Sequence, residues 1–251
     1  MDTIQAPHRA VLLIRSSAYW LFLCLSTAFF SSMILLSFAL PFRMRYIYAK
    51  GWGITNLFAL KYICKLDYRL EGAENLPREP VIVFAKHQSV YEIIVLLSLL
   101  GQLAWVAKRE LLLLPFFGWA FMLARPIVIN RKAGTRAVDQ LIRQGSKSLA
   151  EGRSVMIFPE GTRTAPGAKL NYRIGGAILA EKSAYPVLPV AHNAGEYWPR
   201  NSFIKWPGIV TLSVGPLIRT RDKNAEQILS EAQAWIETEM VRISDPRRWR
   251  R

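Results

Sequence analysis

A histidine and a carboxylate five residues apart, His87 and Glu92 in the segment HQSVYE, form a pair able to do acid–base chemistry together. Imidazole titrates near neutrality, so a carboxylate bonded to one ring nitrogen leaves the other to take the proton of a substrate hydroxyl. On a continuous helix this offset turns the second side chain by about 140° from the first, and the two cannot meet. They meet if His87 lies in the loop before a helix and Glu92 in the helix's first turn. Ser89 is a candidate N-cap for such a helix, which would start at Val90. The spacing Ser89-x-x-Glu92 is also a capping box in its own right, which leaves His87 as an ordinary loop histidine satisfied by backbone.

A second constellation, FPEGTR at residues 158–163, follows another apolar run. Pro159 and Gly161 enforce a turn, and a glycine there lets backbone approach an anion closely. Arg163 offers a two-pronged fork for a phosphate. The plainer reading is a surface turn held by a Glu160–Arg163 pair.

Both segments need a strand to deliver them. Six short β-branched runs read as strands, at residues 81–86, 103–107, 126–130, 154–158, 187–191 and 209–214. Helical stretches lie between them at 89–100, 111–124, 135–151 and 174–182, and an amphipathic helix closes the chain at 224–243. The alternation predicts an α/β fold, a mixed sheet covered by helices. Residues 111–124 (LLLLPFFGWAFMLA) are apolar on every face and interrupted by Pro115 and Gly118. Such a stretch is a buried core helix, or a segment that dips into a membrane or lines an acyl tunnel.

Ahead of the α/β region, residues 16–40 carry no charge, and the run 18–40 has the length needed to span a bilayer core. It is too long for the apolar region of a cleaved signal peptide and lacks a small-x-small site before Pro41. Residues 51–66 are shorter and carry Lys61 and Lys65, as an interfacial amphipathic helix would. Together they predict an N-terminal membrane-anchoring helical hairpin over 1–66 and a second domain over 67–251; a spanning helix and a one-leaflet hairpin satisfy the same residues. Arg43, Arg45, Lys50, Lys61, Lys65 and Arg69 follow the apolar run, whereas Arg9 and Arg15 precede it. This asymmetry places the larger domain on the cytoplasmic face, which in a bacterium is that of the inner membrane.

The chain of 251 residues has 33 Lys and Arg against 18 Asp and Glu, a formal charge of +15, with 51% hydrophobic residues. The apolar content excludes a disordered chain, and the basicity suits an anionic membrane lipid surface as partner. The C-terminal run Arg247-Arg248-Trp249-Arg250-Arg251 fits the same surface, or is a solvated tail. Cys24 and Cys64 make neither a disulfide framework nor a zinc set, and three histidines give no metal site. No P-loop, GxGxxG or nucleic-acid-binding module is present, so the pI does not point to a nucleic-acid partner.

HQSVYE and FPEGTR, about 70 residues apart, resemble the first and third motifs of the 1-acyl-glycerol-3-phosphate acyltransferase family, within the glycerolipid acyltransferases. VAKREL (106–111) and ARPIVINR (124–131) resemble its lysine-bearing block and its second motif, and PVLPV (186–190) its fourth. The resemblance covers roughly residues 70 to 195 and extends to the preceding apolar helices. There are departures: the family's first motif usually ends in Asp where this chain has Glu92, and its second often ends Asp-Arg where this chain has Asn130-Arg131.

The resemblance implies a glycerolipid acyltransferase fold and acyl transfer from an acyl thioester to the free sn-2 hydroxyl of lysophosphatidic acid, giving phosphatidic acid. His87 would be the general base and Glu92 its orienting acid. Arg131 and Arg163 would hold the acceptor phosphate, with Glu160, Gly161 and Thr162 shaping the turn beneath. Lys108 is a further phosphate candidate, or pairs with Glu110 on the surface. Direct transfer is implied, consistent with the absence of a GxSxG elbow or a cysteine near either motif. The expected co-substrate is acyl-CoA or acyl carrier protein, with no cofactor and no metal. Another lyso-lipid, such as a lyso-ornithine lipid or a headgroup-bearing lysophospholipid, is the alternative acceptor.

Overall fold

A computed structural model describes residues 8–114, 116–129 and 134–249. It begins with two long helices, α1 (Arg9–Leu36) and α2 (Phe42–Cys64), packed against each other as a hairpin. Among the described residues, α1 alone is a helix long and apolar enough to cross a membrane. At 28 residues it extends about 42 Å, more than a bilayer core. The second helix is longer than its sequence suggests. It starts directly after Pro41, which has the extended backbone suited to the residue before a first turn, and it takes in Arg43, Arg45 and Lys50. The hairpin is pinned by polar groups: fully buried Asn56 accepts from Tyr19 Oη at 3.3 Å and donates to Ser26 Oγ at 3.1 Å. Outward, Ile14, Leu21, Leu25, Phe29, Ile47, Ile54 and Phe58 are exposed at helical spacing.

Seven strands follow: β1 (Leu66–Glu71), β2 (Ile82–Ala85), β3 (Leu103–Lys108), β4 (Ile127–Ile129), β5 (Ser154–Ile157), β6 (Val187–His192) and β7 (Gly208–Val214). They form one sheet in the order β1-β7-β6-β2-β5-β3-β4, parallel except between β6 and β7. The fold is therefore mixed α/β, as the alternation of runs predicts. The helices α3 (Tyr91–Leu99), α4 (Phe117–Leu123), α5 (Thr135–Ala150), α6 (Gly175–Ser183) and α7 (Ala225–Ile243) complete it.

Two-residue periodicity in β2 separates two cores. Val83 and Ala85 join Tyr19, Leu60 and the apolar residues of α3 on one face. Ile82 and Phe84 join Leu141, Leu179, Ile228 and Ile236 from α5, α6 and α7 on the other. The sheet is thus covered on both sides, by the hairpin with α3 and by three amphipathic helices.

Two further segments differ from their sequence-based expectation. Residues 111–124 are not one helix but a 3-10 turn (Arg109–Leu113) followed by α4. A side chain at Gly118 would lie 2.3 Å from the Leu112 carbonyl oxygen, so the close return of α4 onto this turn requires glycine. Nor is the segment simply buried: Leu113, Leu114, Phe116, Trp119 and Met122 are exposed. Finally, Arg247–Trp249 is docked rather than a free tail. The Trp249 indole donates to Glu196 Oε1 at 3.1 Å, its ring occupies the space a side chain at Gly167 would need, and Arg248 lies over Tyr197.

Candidate active site

The two motifs leave the sheet from adjacent parallel strands at the carboxyl edge, where open α/β sheets place their ligands. Ile82 pairs with Val155 and Phe84 with Ile157, and the same offset of 73 residues relates His87 to Glu160. Across the other side of β2, Ala85 pairs with Val190, which brings His192 level with His87. Sheet register thus aligns three titratable side chains far apart in sequence.

His87 Nδ1 lies 2.8 Å from Glu92 Oε1. That oxygen also accepts from the backbone N–H groups of Gln88 and Ser89 at 3.0 and 2.9 Å, and Glu92 is fully buried. Burial pushes the Glu92 carboxyl up, but His192, the contacts with His87 and the Ser89 N–H outweigh it and hold the group below the usual carboxylate range. An ionised carboxylate only accepts, so Nδ1 carries the proton and Nε2 is left as the basic nitrogen. The capping and orienting readings of Glu92 prove compatible. Glu92 reaches back to the Ser89 N–H as a capping box requires, while Ser89 Oγ accepts from Tyr91 N–H at 3.2 Å rather than from Glu92 N–H. The helix starts one residue later than expected, with Val90 as its cap.

The loop carrying His87 is stitched to the FPEGTR loop. The Thr164 N–H and hydroxyl donate to the His87 carbonyl at 2.7 and 3.0 Å, and the His87 N–H points to Glu160 Oε1 at 3.4 Å. Gly161 has φ +71, and its missing Cβ leaves room for the Arg173 side chain, 2.6 Å from where that atom would sit. Glu160 forms no turn-stabilising pair with Arg163. It is buried, facing Lys86 Nζ at 3.3 Å, and burial holds its carboxyl above the usual range against the pull of Lys86. Thr162 is exposed and Arg163 half-buried, its carbonyl accepting from Arg200 Nη1 at 2.9 Å. Arg163, Arg173 and Arg200 therefore gather around one loop. The last two lie outside any motif and are brought there by folding.

Lys108 ends β3 at the same edge, exposed and without an ion pair to Glu110 among the described residues. Arg131 and its neighbour Asn130 lie outside the described residues. His192 is not a second reactive histidine. Fully buried, it donates from Nε2 to the Lys86 carbonyl at 2.6 Å and accepts from Ala194 N–H at 3.3 Å, and burial lowers its pKa.

The sequence gives no hint of the part played by Phe158. Its ring stacks on His87 with centroids 3.9 Å apart and planes 12° off parallel. Its other surroundings are an apolar cavity of about 310 Å³ between the hairpin, β3 and α4, lined by Phe30, Trp52, Trp105, Ala120, Phe121 and others, with Lys108 among them. One aromatic ring therefore separates the candidate base from a space with almost no polar wall.

Residues 67–193 match the model of the acyltransferase family. Over 250 residues the chain is 37% identical to a curated 1-acyl-sn-glycerol-3-phosphate acyltransferase of Pseudomonas aeruginosa, covering 97% of this chain and 94% of that protein. A protein of the same description from Chlamydomonas reinhardtii is 30% identical, covering 91% of this chain and 71% of that one. The crystal structure of the 1-acyl-sn-glycerophosphate (LPA) acyltransferase PlsC from Thermotoga maritima shares the fold, with a TM-score of 0.78 at 22% identity over 92% of this chain and 95% of that one. With half its length matching the family model and nearly all of it aligning with a curated relative, the chain belongs to the acyltransferase family.

Proposed function

We propose that this protein acylates the sn-2 hydroxyl of lysophosphatidic acid, using an acyl thioester as donor and releasing phosphatidic acid and free thiol. The observation that carries this reading is the position of His87. It is bonded to buried Glu92, 16% exposed at its side chain, and stacked on the ring that borders the apolar cavity. The acceptor hydroxyl gives its proton to His87 Nε2 as its oxygen attacks the thioester carbonyl. The tetrahedral adduct collapses with cleavage of the carbon–sulfur bond, and the thiolate takes the proton back from the imidazolium. Glu92 stabilises that imidazolium while it exists. The step needs no acyl-enzyme and no cofactor, and acyl-CoA or acyl carrier protein supplies the thioester.

The cavity beside Phe158 takes the acyl chain, and the arginines around Gly161 take the phosphate, with Arg163 foremost and Lys108 at the cavity rim. Arg131 belongs with them on its motif. The hairpin anchors the enzyme in the cytoplasmic leaflet, and the exposed Leu113, Phe116 and Trp119 beside it rest in the same lipid. The test is transfer of a labelled acyl group from acyl-CoA to lysophosphatidic acid by the purified protein in detergent. His87→Ala should lower turnover by about a thousandfold or more, and a phosphate-free monoacylglycerol should be a poor acceptor. Turnover that survives His87→Ala removes the base, and equal use of monoacylglycerol removes the phosphate site.

A further inference from the structure

Lys86, the residue immediately before His87, is a lysine 1% exposed. Its ammonium lies between two carboxylates, 2.7 Å from Glu237 Oε1 and 3.3 Å from Glu160 Oε1. Glu237 belongs to α7, beyond the residues that match the family model. Its Oε1 also accepts from the Tyr172 hydroxyl at 3.0 Å. Burying Lys86 and Glu160 costs several kcal/mol of desolvation per ion even with Glu237, 15% exposed at its side chain, beside them, and apolar residues of the same shape would brace α7 against the sheet as well or better. What such residues would not do is govern the hydrogen bonding of the loop. Glu160 Oε1, which faces the Lys86 ammonium, is also the acceptor for the His87 N–H.

We propose that Glu237 is a positioning residue for the transfer reaction, acting through Lys86 and Glu160 on the backbone of His87. By taking the shorter contact with Lys86, Glu237 leaves Glu160 only partly engaged, so that its Oε1 still accepts from His87. Without Glu237 the whole ammonium falls to Glu160, which turns toward it and lets the His87 N–H go. Without Lys86, two buried carboxylates face each other, one takes a proton, and the same acceptor weakens. Of the other attachments of the loop, those from His192 and Thr164 hold the Lys86 and His87 carbonyl oxygens, and Glu92 holds the N–H groups of Gln88 and Ser89. Glu160 is the group that holds the His87 nitrogen, and α7 sets through Glu237 how far Lys86 engages it.

The proposal rests on His87 being the base, so both are tested in one assay. Glu237 lines a cavity of about 170 Å³ with Lys86, Gln88 and Trp249, and no residue of that cavity lines the apolar one. Glu237→Gln should therefore lower kcat per folded enzyme about tenfold while both KM values stay within about twofold. The paired variant Lys86→Met with Glu237→Leu removes two of the three charges and leaves Glu160 without its counter-ion, so that Glu160 takes a proton. Per folded enzyme it should still lose turnover about tenfold. A double variant that folds and turns over like the wild type overturns the positioning role, as does a Glu237→Gln change confined to thermal stability. Wild-type turnover that is indifferent to His87→Ala would instead sink the reading beneath it, and the positioning role with it.

Discussion

The two sides of the Phe158 ring are built by different rules. On the His87 side hydrogen bonds fix the loop: Glu92 Oε1 holds three groups, His192 holds the Lys86 carbonyl, and Thr164 holds the His87 carbonyl twice. On the cavity side the walls are Phe30, Ile34, Trp52, Leu97, Trp105 and Phe121, and beyond them the hairpin and α4 turn apolar side chains outward. Proton transfer demands positioning within a fraction of an ångström, and hydrogen bonds supply it. An acyl chain has no directional group to recognise, so volume and dryness suffice. The contrast says where substitutions should act on rate and where on selectivity.

On the proposed mechanism, the largest effect expected after removal of His87 is at Glu92. Glu92→Gln keeps the shape and an acceptor oxygen but removes the charge that stabilises the imidazolium. It also puts an amide where Oε2 now lies buried without a partner. We expect kcat to fall about a hundredfold with KM little changed. Glu92→Asp keeps the charge one methylene short and should recover part of the loss if the loop closes the gap. A Gln variant with wild-type kcat and a lowered melting temperature would reduce Glu92 to a helix cap.

On the cavity side the effect is smaller and falls on chain length. Ala120, on the inner face of α4, is 3% exposed and lines the cavity. Ala120→Trp fills part of it, so that acyl chains long enough to reach the new ring lose buried methylenes at about 0.8 kcal/mol each, roughly fourfold in kcat/KM per methylene. Short-chain donors should be used as before. Competition between donors of two lengths reads this directly, and an unchanged ratio would place the acyl chain elsewhere.

The same contrast decides how much was legible in the sequence. HQSVYE and FPEGTR announce themselves because local chemistry fixes them, and their strands are marked by β-branched runs on either side of the sheet's centre. Strand β1 is not marked by a β-branched run, although Leu66, Tyr68 and Leu70 alternate with Asp67, Arg69 and Glu71. Its charged outer face and its place at the sheet edge against β7 gave it no apolar run to betray it. Glu237, Phe158 and Arg173 carried no signal of their own role. A glutamate on an amphipathic helix looks like solvated surface until α7 is laid across the sheet and Lys86 is found beneath it. The hairpin was legible in its first helix through length alone. In its second, the charges of Arg43, Arg45 and Lys50 concealed a helix that tertiary packing sustains.

The smallest effect separates stability from catalysis at the site itself. His192 is buried, bonded at both ring nitrogens, and kept neutral, its pKa lowered chiefly by burial and, to a lesser degree, by His87 and Lys86, with Glu92 pulling the other way. A free imidazole titrates near pH 6.5. As the pH falls through that value the unfolded chain takes up a proton that the folded chain refuses, so the stability held above about pH 6.5 drains away until the lower folded-state pKa is passed. The slope from one such group is at most about 1.4 kcal/mol per pH unit. His192→Gln can still donate to the Lys86 carbonyl but does not titrate, so its melting temperature in detergent should fall less between pH 7.5 and pH 5.5 than that of the wild type. Glu92, held below its usual pKa, contributes its own loss only at more acid pH, and groups such as Lys205, lowered to about 7 by burial, titrate in both proteins, so the difference between the two isolates His192. Parallel melting curves for the two proteins across that window would mean that His192 is not the group whose protonation costs the fold its stability there.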